Sequence, residues 1–184
     1  MRTLLLALLS LGLTAQEKQL SLDPAKTEVH WTLGGTLHTV HGTFKFKSGA
    51  IRFDPAGGKA SGELLVDAPS GESGNGSRDG RMHKNVLESA KFPVISFTPD
   101  RVEGKLAPSG TSTVQLHGSF KIHGTTHEIT IPAKVEAAPD SAKFTATFTI
   151  LYVAWGMKSP STFLLKVDDK VEITISGEGK LVNP

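Results

Sequence analysis

Val114-Gln115-Leu116-His117-Gly118-Ser119-Phe120-Lys121-Ile122 is the stretch on which the fold turns. Val114, Leu116, Gly118, Phe120 and Ile122 fall on one side of an extended chain; Gln115, His117, Ser119 and Lys121 fall on the other, with His123 continuing that side. Only a β-strand sends successive side chains to opposite faces, so this alternation specifies a strand with one apolar face. Gly124-Thr125 then turns the chain, and Ile129, Ile131, Ala133 and Val135 alternate with Glu128, Thr130, Lys134 and Glu136. Two such runs about a glycine turn predict an antiparallel hairpin.

The same period extends outward in both directions. Val29, Trp31 and Leu33 alternate with Glu28, His30 and Thr32; Phe44 and Phe46 alternate with Thr43, Lys45 and Lys47. Ile51 and Phe53 lead into a turn at Asp54-Pro55 with Gly57-Gly58, after which come Gly62, Leu64 and Val66. Ile95 and Phe97 follow Pro93; Phe144, Ala146, Phe148 and Ile150 form one late run, and Val171, Ile173 and Ile175 another. About eight or nine strands result, separated by turn residues. Ser77 to Glu88 (SRDGRMHKNVLE) breaks the pattern. Met82, Val86 and Leu87 lie at helical spacing there, so the segment predicts one short helix with Ser77 as its N-cap. That many one-sided strands bury their apolar faces and protect their edges by closing into a barrel or pairing two sheets. An eight-stranded barrel either fills its interior or holds one small ligand. The inward set contains no carboxylate, so any cavity is dry and selects an apolar guest.

Composition narrows the function. The chain has 184 residues with 20 basic and 18 acidic side chains, a formal charge of +2 and no cysteine. Disulfides, thiolate metal sites, cysteine nucleophiles and a lipidated-cysteine anchor are excluded. The near-balanced charge provides no overall basic field for nucleic acid or an acidic membrane. Met1-Arg2 followed by the apolar run Leu4 to Leu13 and Ala15 reads as a signal peptide over residues 1–15, too short to span a bilayer. The remainder, residues 16–184, reads as one domain, exported to the periplasm or secreted, with no stable membrane span. The oligomeric state stays open, a homodimer included.

No catalytic signature appears. The chain has no G-x-S-x-G and no phosphate-binding loop, and Gly74-Asn75-Gly76 lacks the third glycine of a dinucleotide fingerprint, with Asp79 in its place. His127-Glu128 begins like a zinc-protease motif, but Ile131 occupies the second histidine position. His117 and His123 share a face yet stand six residues apart, roughly 20 Å along a strand. No metal, cofactor or catalytic residue is assigned. Two polar or aromatic features stand out. The loop from Gly74 feeds a helix start, where backbone N–H groups and the helix dipole favour an anion, and Arg78, Arg81 and Lys84 line one stripe. A solvated helix face with an Arg78-Asp79 pair is the plainer reading. Trp31, Phe44, Phe46, Phe97, Phe120, Phe148 and Trp155 either line a ligand tunnel or pack a core.

Several of these pieces, in order, resemble the YceI-like family of exported lipid-binding barrels. They are Val29-His30-Trp31, His41 to Phe44, GAIRFDP at Gly49 to Pro55, Arg78-Asp79 with Met82, and Lys91-Phe92-Pro93 with Ile95-Ser96-Phe97. GSFKIHG at Gly118 to Gly124, Phe148 with Ile150, Trp155-Gly156 and Asp169 to Ile175 complete the likeness. One position departs: where the family often carries Arg-x-Asp before its aromatic-Gly, this chain has Tyr152 and Ala154.

The resemblance implies an all-β, lipocalin-like extended antiparallel barrel of about eight strands with one short helix. It implies non-catalytic binding, sequestration or transport of a polyisoprenoid or other long-chain lipid in an apolar tunnel in the periplasm. Trp31, Phe44, Phe46, Leu64, Phe97, Phe120, Ile122, Phe148, Ile150 and Trp155 are the expected tunnel lining, and Arg78 the expected contact for the ligand head. The alternatives are a lipid-modifying hydrolase on the same barrel and a filled barrel acting as a structural or partner-binding module.

Overall fold

The computed structural model describes residues 17–163 and 165–183; the leader reading at residues 1–15 lies outside them. Nine strands follow in chain order: β1 (Lys18–Leu22), β2 (Glu28–Leu33), β3 (Val40–Phe53), β4 (Gly58–Glu72), β5 (Val94–Glu103), β6 (Gly110–Ile122), β7 (Thr125–Ala137), β8 (Ser141–Ile150) and β9 (Val171–Val182). β2 to β9 form an antiparallel cylinder in which each strand pairs with the next and β9 returns to β2. Closure removes the free edges that one-sided strands would otherwise expose. β1, absent from the sequence reading despite Leu20 and Leu22 on one face, pairs with the far ends of β3 and β9. It continues the line of β2 beyond a 3-10 turn at Pro24–Lys26, so the two short strands share one place in the wall.

The hairpin that decided the fold is β6–β7, in register from Gly110↔Ala137 to Ile122↔Thr125. Its loop is His123-Gly124, with φ of 52° and 76°. Two consecutive positive φ values make the turn that matches strand twist in a two-residue hairpin. Glycine satisfies the second position without steric cost, and a side chain there would strike the Phe92 ring.

Bulges re-phase the alternation elsewhere. On β3 the inward residues are Gly42, Phe44 and Phe46, then Ile51 and Phe53. The register shift between Phe46 and Ser48 moves the inward set from even to odd numbers. β5 does the same between Pro99 and Arg101.

The helical connection between β4 and β5 differs from the expectation. α1 (Gly76–Arg81) is six residues long and is followed by a π-turn at Met82–Val86. Asn75, not Ser77, is the N-cap; its side chain accepts from the Arg78 N–H at 3.0 Å. The long connections, 34–39, 73–93 and 151–170, all leave the same end of the barrel. The two-residue β6–β7 turn lies at that end too; the opposite end carries the connections 54–57, 104–109 and 138–140 and is packed by residues that include Leu20, Ile51, Phe53, Val114, Val135 and Leu181.

Candidate functional site: a one-ended apolar cavity

The end with the long connections is hollow. A cavity of about 710 Å³ opens between the loop at 35–38, the helical segment 75–87 and the segment 157–167. Its volume falls within the range of small-molecule sites. The wall is overwhelmingly apolar because each strand turns its hydrophobic face to the lumen: Val29 and Trp31 from β2, Leu64 and Val66 from β4, Ile173 and Ile175 from β9. No Asp or Glu is among the described lining residues. A polar guest would lose its hydrogen bonds to water here without replacement, whereas a hydrocarbon loses nothing.

Of the predicted lining residues, Trp31, Phe44, Leu64, Phe97, Phe120, Ile122, Phe148 and Ile150 face this cavity, and Arg78 stands at it. Two do not. Phe46 is 5% exposed but belongs to the packed core, just above the bulge on β3. Trp155 lies beyond β8 and stacks on His127 with ring centroids 4.1 Å apart and planes 6° apart. The reason is a split in the wall. β7 and β8 pair only from Ala133↔Ala146 to Ala137↔Ala142, and Pro132 has no N–H with which to extend the ladder. Above that point Trp155 packs on His127 and lies 6.0 Å from Phe120, outside the cavity.

Residues missed by the sequence reading include Ile173, Ile175, Tyr152, Met157 and Met82. Ile173 and Ile175 sat on an alternating face and carried a legible signal. Tyr152 and Met157 come from an irregular segment with no periodicity to read.

The Arg78 environment also differs from the plain expectation of an Arg78-Asp79 pair. Arg78 donates from Nε to the Ser73 hydroxyl at 2.7 Å and from Nη2 to the Ser73 carbonyl at 2.8 Å. The Ser73 hydroxyl in turn donates to Asp79. Partial burial would push the Asp79 carboxyl up, but the side-chain and backbone hydrogen bonds from Ser73 and the charges of Arg78 and His83 outweigh it and hold it below the usual 3.8. Lys84 is not part of the cavity; Arg78 and Arg81 are, joined across the opening by Lys158 and Lys166. The π-turn displaces Lys84 from the stripe a regular helix would have made.

One serine and one histidine are hydrogen bonded. The Ser89 hydroxyl lies 3.0 Å from His83 Nδ1, and His83 Nε2 lies 2.8 Å from the Gly71 carbonyl. Because that carbonyl can only accept, Nε2 donates to it, and Nδ1 shares the second hydrogen bond with the Ser89 hydroxyl. Ser89 is 5% exposed and is not part of the cavity wall; the pair ties the π-turn to the end of β4.

Fold and cavity together define a closed, lipocalin-like antiparallel barrel, hollow at one end. Comparison with solved structures agrees. BcnA of Burkholderia cenocepacia superposes with a TM-score of 0.72 at 20% identity, covering 88% of this chain and 99% of that one. A polyisoprenoid binding domain from Saccharophagus degradans superposes at 0.68 and 16% identity, covering 88% and 97%. In sequence, a UPF0312 protein of Pseudomonas syringae pv. tomato is 28% identical over 150 residues, 77% of this chain and 74% of the relative. Residues 20–179 match the model of the YceI-like domain, and the chain belongs to that family.

Proposed function

We propose that the protein binds a long-chain amphiphilic lipid, its hydrocarbon tail in the barrel cavity and its head at the open end. The observation that carries this reading is the one-ended cavity of about 710 Å³ with an apolar wall. At about 0.8 kcal/mol per buried CH₂, a chain of roughly a dozen carbons supplies several kcal/mol of affinity after the costs of association. A polyisoprenoid is the favoured class, in keeping with the ligand class in the name of the Saccharophagus degradans domain. The role is sequestration or transport, without chemistry on the lipid, in the periplasm after removal of the leader.

Organic extraction of the purified protein followed by lipid mass spectrometry tests the reading: a co-purifying isoprenoid or fatty chain is expected, and repeated recovery of none, together with failure to load a prenyl phosphate, overturns it. The head is placed beside Arg78. Native mass spectrometry of Arg78→Ala loaded with a prenyl phosphate is expected to show reduced retention, and unchanged retention removes the head from that residue. Conversion of the loaded lipid to a new species in the same experiment would favour a hydrolase. Intact mass and fractionation of the expressed protein check the leader and the periplasmic destination.

A further inference from the structure

We propose that the open end of the barrel is a docking face for an anionic phospholipid bilayer. Two independent observations carry this. First, among the described residues five of the six exposed large hydrophobics, Leu37, Val94, Leu151, Phe163 and Leu165, lie at that end; only Val182 lies at the other. Phe163 is 95% exposed and Leu37 72%. Leu37, Phe163 and Leu165 come from two loops that are hydrogen bonded to each other, and apolar side chains gathered in this way mark an interaction surface, unlike scattered exposed leucines. Second, every charged side chain lining the opening is a cation: Arg78, Arg81, Lys158 and Lys166. Of the carboxylates near the mouth, Asp79 is hydrogen bonded by Ser73 beside Arg78 and Glu88 is paired with His123, while Asp168 and Asp169, which follow Lys166 in the chain, are not part of the lining.

The apolar lip is built, not frayed. Gly35 bridges Val167, the Thr36 N–H donates to the Lys166 carbonyl at 2.9 Å, and the Asp168 N–H donates to the Gly34 carbonyl at 2.9 Å. The Thr162 N–H donates to the Leu165 carbonyl at 2.8 Å, which holds Phe163 in the turn between them. Leu37 and Phe163 therefore project from two loops zipped together on one lip, with Lys158 and Lys166 beside them. Apolar side chains that enter the headgroup boundary, ringed by lysine and arginine for lipid phosphates, match an anionic membrane surface. A second copy of the chain is disfavoured, because two cationic mouths face to face repel. The near-zero total charge is no objection, since surface charges act within about a Debye length, roughly 8–10 Å.

Co-sedimentation of the full chain with vesicles of pure phosphatidylglycerol and of pure phosphatidylcholine tests this. Binding to phosphatidylglycerol, weakened by salt, with little binding to phosphatidylcholine, is expected. Each of Lys158→Gln and Lys166→Gln should weaken it about fivefold, and the pair roughly 25-fold. Leu37→Ser with Phe163→Ser should weaken it about tenfold or more. Whatever the first sixteen residues add is common to all variants. Equal binding to both lipids, or variants that bind phosphatidylglycerol like the parent, overturns the proposal. So does a dimer in light scattering that Phe163→Ser dissolves while vesicle binding stays unchanged, which would make a second copy the occupant. The cavity need not be loaded, so failure here leaves the lipid-extraction result standing on its own.

Discussion

Tyr152 is 5% exposed, and its one polar side-chain atom is paired. Its hydroxyl donates to the Asp168 carbonyl at 2.7 Å, tying the segment after β8 to the one before β9 beside the cavity. Burial pushes the phenol above its usual 10.0; a hydrogen bond with Ser159 works against that, and the carboxylates Asp169 and Asp168 add to it. A folded value above the unfolded one means the folded state holds its proton longer. The contribution is fully present below pH 10.0 and is lost as pH rises through the folded value. Tyr152→Phe is therefore expected to flatten the alkaline fall in stability and to cost about 1 kcal/mol at neutral pH, read by urea unfolding against pH. The Ser89–His83 pair makes a second prediction at this scale. Removing either partner leaves a buried group unpaired, so His83→Leu or Ser89→Ala should cost roughly 1–3 kcal/mol.

Among the elements, the β4–β5 connection depends on a few side-chain ties. α1 has only six residues and cannot stand alone; its start is held by Asn75, its far end by the Ser89–His83 tie and by the Ala68 N–H donating to the Pro93 carbonyl at 3.1 Å. Asn75→Ala should cost about 1 kcal/mol by thermal melting and raise amide exchange across 76–86 before it affects the strands. The β6–β7 turn is less forgiving. Gly124→Ala forces a methyl into a positive-φ site against Phe92, and a loss of about 1–3 kcal/mol is expected in the same assay.

For the molecule as a whole, the barrel divides its labour along its axis, a packed half for stability and a hollow half for a guest. Substitutions should separate the two. Phe53→Ala in the packed half should cost about 3–5 kcal/mol. Ile131→Phe at the cavity adds volume where space exists; it should change stability by less than about 1.5 kcal/mol while lowering lipid retention in native mass spectrometry. An Ile131→Phe protein that keeps its full lipid load would mean that the cavity is not where the lipid sits.

Much of this was written in side-chain order. Val114 to Val135 had to be a hairpin and Phe148 with Ile150 and Val171 to Ile175 had to be strands, because alternation is a local consequence of backbone geometry; their shared one-sidedness left a closed barrel or two packed sheets, and the pairing of β9 with β2 decided for the barrel. The absence of inward carboxylates likewise made any cavity apolar. Three things lay beyond local pattern. Phe46 packs instead of lining because a bulge re-phases β3; Trp155 meets His127 because Pro132 parts β7 from β8; Arg78 is engaged by Ser73 because a short helix folds back on its own loop. Which half of the lumen is empty, and that cations and bare apolar tips meet at its rim, depend on contacts between residues far apart in the chain. Periodicity carries no record of such contacts; packing in three dimensions creates them.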